Sequence, residues 1–194
     1  MITEDGLANA LIVYSRNDEC SDTDIHLEVS YNHYGESGVV DLVMENYDIH
    51  IIELKSDAAI KEATGANEII RQFNRHRKYF FEGSTHSPRD NTTFELCFAP
   101  TPTCLKHIID NWSLYATVLT NEPTDMQIKR LLSIITIRPP DPNNITPLHP
   151  FVEAEVNGDM HSPPSQESFL ESTQQVLPER DFKRLRPVII EKLG

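Results

Sequence analysis

The chain has 194 residues, 39% of them hydrophobic, and a formal net charge of −13. That length suffices for one domain with appendages and a real core. No apolar run reaches membrane-spanning length, and no charged-then-apolar pattern opens the chain, so neither a membrane segment nor a signal peptide is expected.

Three cysteines (Cys20, Cys97 and Cys104) include no CxxC pair, which argues for a reducing cytoplasm over a disulfide framework or a structural zinc site. The acidic balance handicaps steering toward nucleic acid, since phosphate contacts need cations. It fits either a surface kept soluble in the high salt of a halophile or an acidic protein that mimics DNA. Screening at high salt shrinks the handicap, which favours the first.

In chain order, a first helix is expected from Glu4 to Arg16, with Thr3 as its N-cap. An acidic loop follows over Asn17 to Asp24, and then a strand over Ile25 to Tyr34. Alternation puts Ile25, Leu27, Val29 and Tyr31 on one side and His26, Glu28, Ser30 and Asn32 on the other. His26, His33 and His50 lack zinc-site spacing and read as ordinary strand positions. Gly35 to Gly38 is a turn.

The next stretch organises the rest. Gly38 to Met44 and Ile49 to Ser56 are β-rich apolar runs joined by the polar turn Glu45 to Asp48, the pattern of a hairpin. Glu53 and Lys55 are two apart and share a face. Asp41 joins them if the turn sets the register. Two carboxylates with an open side can hold Mg²⁺, and such an ion neutralises charge on a phosphodiester and activates water. The spacing alone fits equally a hairpin whose polar positions form its wet face.

A long helix is then expected from Ala58 to Phe81, with apolar residues near i, i+3, i+4 and i+7. Its last turns carry Arg71, Arg75, Arg77 and Lys78, the densest basic patch of an acidic chain. Those cations suit either a helix C-terminus or phosphate contact. After a polar loop over Gly83 to Asn91 come a strand over Thr93 to Ala99, a helix over Cys104 to Trp112 and a strand over Leu114 to Leu119. Cys97 reads as a small buried residue of its strand. A further helix over Asp125 to Leu132 and a short strand over Ser133 to Ile137 complete a unit of residues 1–138. Residues 139–194 are proline-rich linker and partly ordered tail, with helical pieces at Gln166 to Leu177 and Arg180 to Leu193. Lys183, Arg184 and Arg186 read as solvated charges of that tail.

Val40-Asp41-Leu42-Val43 and Ile52-Glu53-Leu54-Lys55 resemble the signature of the PD-(D/E)XK nuclease superfamily, hydrophobic flanks included. Val40 stands where that signature often has proline. The hairpin is similar to that of archaeal Holliday-junction resolvases, which also place a glutamate at the start of a first helix, where Glu4 falls. Glu28 competes with Glu4 for that role. Gln72 matches the glutamine of the Gln-x-x-x-Tyr motif of lambda-exonuclease-type members, but His76 occupies the tyrosine position.

The resemblance implies an α/β, restriction-endonuclease-like mixed sheet with flanking helices, in the order αβββαβαβ. It implies a Mg²⁺- or Mn²⁺-dependent nuclease that leaves a 5′-phosphate and a 3′-hydroxyl. Asp41, Glu53 and Glu4 would hold the metal, Lys55 would orient the attacking water and Gln72 would place water or phosphate. Arg71, Arg75 and Lys78 would contact the backbone of DNA, with RNA left open and a homodimer plausible. A nuclease fold retired to a nucleic-acid-binding or DNA-mimic module is the competing expectation.

Overall fold

A computed structural model of the chain describes residues 3–17, 23–33, 35–45, 49–62, 65–79, 92–99, 101–115, 129–136, 146–148, 165–176 and 179–194. Helix α1 spans Glu4–Asn17, and the Thr3 hydroxyl accepts from the Gly6 N–H at 3.1 Å, as an N-cap should. Strands β1 (Asp24–His33), β2 (Glu36–Glu45) and β3 (Ile49–Lys55) follow. Helices α2 (Asp57–Glu62) and α3 (Ala66–Lys78) lead to β4 (Thr92–Phe98) and α4 (Pro102–Asp110). Beyond them lie β5 (Lys129–Thr136), β6 (Thr146–Leu148), α5 (Gln166–Val176) and α6 (Glu179–Leu193).

The six strands form one mixed sheet in the order β1-β2-β3-β4-β5-β6. β1, β2 and β3 pair antiparallel, β3, β4 and β5 pair parallel, and β6 returns antiparallel to β5. β3 is therefore where the two halves meet, and burial reflects that: all of its residues except the half-buried His50 are buried. A strand covered on both faces reads as a continuous apolar run, so the charges of Glu53 and Lys55 inside it are conspicuous. α1 and α2 pack on β3, α3 on β2, and α6 on α4. Leu7 and Leu11, Ile69 and Phe73, Leu105 and Ile108, and Leu185 and Ile189 fill the core from α1, α3, α4 and α6. Cys97 and Cys104 are both buried within it.

Three expected elements differ. The single helix expected over Ala58 to Phe81 is two helices, α2 ending at Glu62 and α3 starting at Ala66, with Gly65 at φ +109° as the N-cap of the second. Leu114 and Tyr115 lie in a helical turn at 112–115, not in a strand. The Asn111 carbonyl accepts from both their N–H groups, at 3.0 and 3.2 Å, and Trp112 and Tyr115 are buried one turn apart. Residues Lys129 to Leu132 are strand, not helix: Thr93, Phe94, Glu95 and Leu96 of β4 pair with them in register. β6 extends the sheet beyond β5, and α5 adds Phe169 to the core that α6 seals. Exposed Lys183 and Arg184 pair along their own helix with Glu179 and Asp181 at 2.6 and 3.9 Å.

The turn at 46–48, the loop at 83–91, the strand expected over 116–119 and the proline-rich segments at 139–144 and 161–164 lie outside the described residues. Among the described residues no helix is long and apolar enough to cross a membrane.

Candidate active site

β2 and β3 pair Leu42 with Ile52 and Val43 with Ile51, and one more step along that ladder sets Asp41 opposite Glu53. Opposite residues of an antiparallel pair share a face. Asp41 Oδ2 accepts the Leu54 N–H at 2.7 Å, which ties the β2 carboxylate to the peptide between Glu53 and Lys55. Glu53 is 1% exposed and Lys55 7%. Lys55 Nζ donates to Glu53 Oε1 in a short ion pair. From α3, His76 Nε2 meets Glu53 Oε2 at 2.8 Å, and its Nδ1 meets the Tyr31 hydroxyl of β1 at 2.9 Å. Glu4, the first residue of α1, closes the group from another side: its Oε1 accepts the Ser56 N–H at 3.2 Å, one residue past Lys55.

The two facing carboxylates have opposite tendencies. Burial raises the pKa of Glu53, but the His76 hydrogen bond and the Lys55 charge outweigh it and hold the group below the ordinary carboxylate value. Asp41 is pushed up to about 7, first by burial and then by the charge of Glu53. The Leu54 N–H and Lys55 oppose that rise, and Glu4 adds to it. Burial likewise raises the Tyr31 hydroxyl. One acid is thus held ionised beside another that resists ionising.

The remaining expected residues are spread along α3. Gln72 is half-buried one turn before His76 on the same stripe of the helix, and its side chain makes no hydrogen bond among the described residues. Arg71 is exposed and pairs with Glu68 at 2.8 Å. Lys78 is exposed, whereas Arg75 is half-buried, close enough to Tyr31 to act on its hydroxyl, and its Nε is buried without a partner among the described residues. Glu28 is exposed and sits at φ +50° in β1, where the ladder steps from Leu27–Leu42 to Val29–Val40. Of the two competing glutamates, Glu4 is the one that touches the β3 end of the group. His26 and His50 show no convergence: among the described residues no three His, Cys, Asp or Glu side chains stand ready to hold one ion.

Two residues of the group escape sequence reasoning. His76 stands out only as a mismatch to a tyrosine motif, and Tyr31 only as one member of an apolar strand face. The His76–Glu53 contact spans 23 residues and the His76–Tyr31 contact 45, and neither has a local signal.

A family model of the PD-(D/E)XK nuclease superfamily domain matches residues 2–159. The chain belongs to the PD-(D/E)XK nuclease superfamily. No curated protein and no solved structure matches it. The superfamily match covers Glu4, Asp41, Glu53, Lys55, Gln72 and His76 and all six strands, and stops short of α5 and α6.

PD-(D/E)XK nucleases typically use divalent metals. Asp41 Oδ1 carries no hydrogen bond among the described residues, and the pressure of Glu53 on Asp41 is the repulsion that a cation between two carboxylates relieves. Each oxygen of Glu53 carries one donor, which leaves a second lone pair on each.

Proposed function

We propose that the protein is a divalent-metal-dependent nuclease that hydrolyses DNA phosphodiester bonds. The observation that carries this reading is the buried Glu53–Lys55 pair with the half-buried Asp41 beside it, on the central strands of a PD-(D/E)XK domain. A buried charge cluster is expensive to keep even when it is paired, and a structural role for it on an otherwise apolar strand has no evident gain. Residues 1–138 hold the reaction centre, and residues 139–194 act as its appended support.

Asp41 and Glu53 would hold Mg²⁺ or Mn²⁺, with Glu4 as the third carboxylate. Such an ion supplies Lewis acidity at the phosphodiester. Lys55 has three N–H donors and spends one on Glu53, so two remain to orient the attacking water and to meet a phosphate oxygen. Gln72, one turn from His76, faces the same region and would position water or phosphate. Arg71, Arg75 and Lys78 line α3 as backbone contacts. Water adds to phosphorus and the bond to the 3′ oxygen breaks, which leaves a 5′-phosphate and a 3′-hydroxyl.

The test is a cleavage assay with Mg²⁺ or Mn²⁺ from low to molar KCl on plasmid, single-stranded and four-way-junction DNA, with Lys55→Ala as control. Cleavage by the wild type that the variant lacks supports the nuclease. The net charge of −13 favours a second reading, a nuclease fold that binds a partner and no longer cuts. Folded protein that cuts nothing at any salt, and whose unfolding temperature Mg²⁺ does not raise, would establish that reading instead.

A further inference from the structure

The Glu53 carboxylate is clamped from both sides, and the two clamps are not equivalent. The last torsion of a glutamate is broad and soft, so its plane is set by whatever donors it meets. On one side is Lys55, a mobile point charge that the proposed reaction needs for water and phosphate. On the other is His76, 2% exposed, a flat ring that cannot follow a substrate.

The ring is itself held. An ionised carboxylate only accepts, so Nε2 carries the proton toward Glu53. In that tautomer the Tyr31 hydroxyl donates to Nδ1 at 2.9 Å, and the Tyr31 ring meets the imidazole edge-on at 5.4 Å. Tyr31 is 5% exposed, stacks on Tyr79 at 4.6 Å, and lies over Gly38 so closely that a Cβ there would fall 2.3 Å from its hydroxyl oxygen. β1, β2 and α3 thus all contribute to the placing of one side chain on β3.

We propose that His76 and Tyr31 are positioning residues that hold Glu53 in the orientation needed to bind the metal ion, leaving Lys55 free to exchange partners. This rests on the reading of Asp41 and Glu53 as the ion-holding pair. Neither residue touches substrate. They act through Glu53, as partners of metal ligands elsewhere act through theirs.

The test is calorimetric titration of Mn²⁺ into the metal-free full chain, with thermal unfolding in chelator as the check on folding. His76→Gln keeps an N–H near the place of Nε2, whereas His76→Asn is too short to reach Glu53. His76→Asn is expected to weaken Mn²⁺ binding by about 10-fold or more, and His76→Gln to restore it to within about 3-fold of wild type, on the scale of such partner losses. Equal binding by wild type and His76→Asn would overturn the proposal and leave the active-site reading standing. So would equal losses in the Gln and Asn variants, since a packing role does not distinguish them. A wild type that takes up no Mn²⁺ would remove the active-site reading itself and this role with it. If His76→Asn does not fold, Tyr31→Phe decides: weakened Mn²⁺ binding supports the role and unchanged binding refutes it.

Discussion

The Leu54 N–H donates to Asp41 Oδ2 at 2.7 Å, so the carboxylate of one strand is fixed by the backbone of the next, between the two charged residues it faces. Asn at position 41 can accept the same hydrogen bond without the charge. Asp41→Asn is therefore expected to fold, and at pH 8 without metal to unfold at a higher temperature than wild type. It should lose the stabilisation that Mn²⁺ gives, and its cleavage rate should drop by about 100-fold or more, as for loss of a main electrostatic contributor. Thermal unfolding with and without Mn²⁺ checks the first two, and initial rates the third.

The same residue gives the metal-free protein an unusual dependence on pH. With Asp41 raised from 3.8 to about 7, the folded state holds a proton that the unfolded state has released between those values. Stability from this group is complete below the lower value and is lost as pH rises through the upper one. Glu53, held low, works in the opposite sense: its contribution is present above the ordinary carboxylate value and is lost in acid. Urea unfolding in chelator should show stability falling from about pH 5 to 7.5, with a shallower slope in Asp41→Asn. A flat profile in the wild type would contradict the assignment.

Lys55→Ala separates binding from chemistry. Removing one partner of a buried ion pair costs about 3 kcal/mol, the low end for such pairs, because His76 still holds Glu53. Denaturant titration should show that loss. Mn²⁺ uptake should persist or tighten, since a neighbouring cation is gone, while cleavage falls to background.

Gly38→Ala tests the support behind His76. The added methyl would lie 2.3 Å from the Tyr31 hydroxyl oxygen and 2.5 Å from the ring carbon bearing it, so the ring must move. Overpacking of this kind costs about 1–3 kcal/mol. The displacement should also loosen the Tyr31–His76 bond, read as a shift of the His76 ring nitrogens in NMR spectra.

Leu185 of α6 is fully buried in the core shared with α4 and β4. Leu185→Ala should cost roughly 2–5 kcal/mol, as cavity-forming changes do. The site itself should be untouched, so Mn²⁺ affinity measured below the unfolding transition should equal that of wild type.

The centre of the molecule was legible because its signals are local. Asp41, Glu53 and Lys55 sit on adjacent strands joined by a short turn, so alternation and one register choice bring them together. Glu4 was legible as an acidic residue opening an amphipathic helix. The helix over Ala58 to Phe81 was misread because its apolar spacing continues across Gly65, the N-cap at which a second helix starts without a break in the period. Lys129 to Leu132 have residues a helix tolerates, and only pairing with β4, more than 30 positions earlier, makes them strand. His76 and Tyr31 were out of reach for the same reason: their meaning lies in a fold-level contact, not in their neighbours.

The strands lie side by side in the order in which the chain is made, from β1 to β6. No strand has to be threaded between two that are already paired; each adds at a growing edge. Every residue of the site, from Glu4 to Lys78, precedes β4. On a ribosome, then, the charged group is synthesised before the parallel half of the sheet exists. Its hairpins close over short loops, the fast kind of contact, whereas β3 must wait for β4 across the long crossover that α2 and α3 occupy. Until β4 arrives, Glu53 and Lys55 remain at an open edge in water, and the burial that sets their chemistry is completed by a later event in the life of the chain.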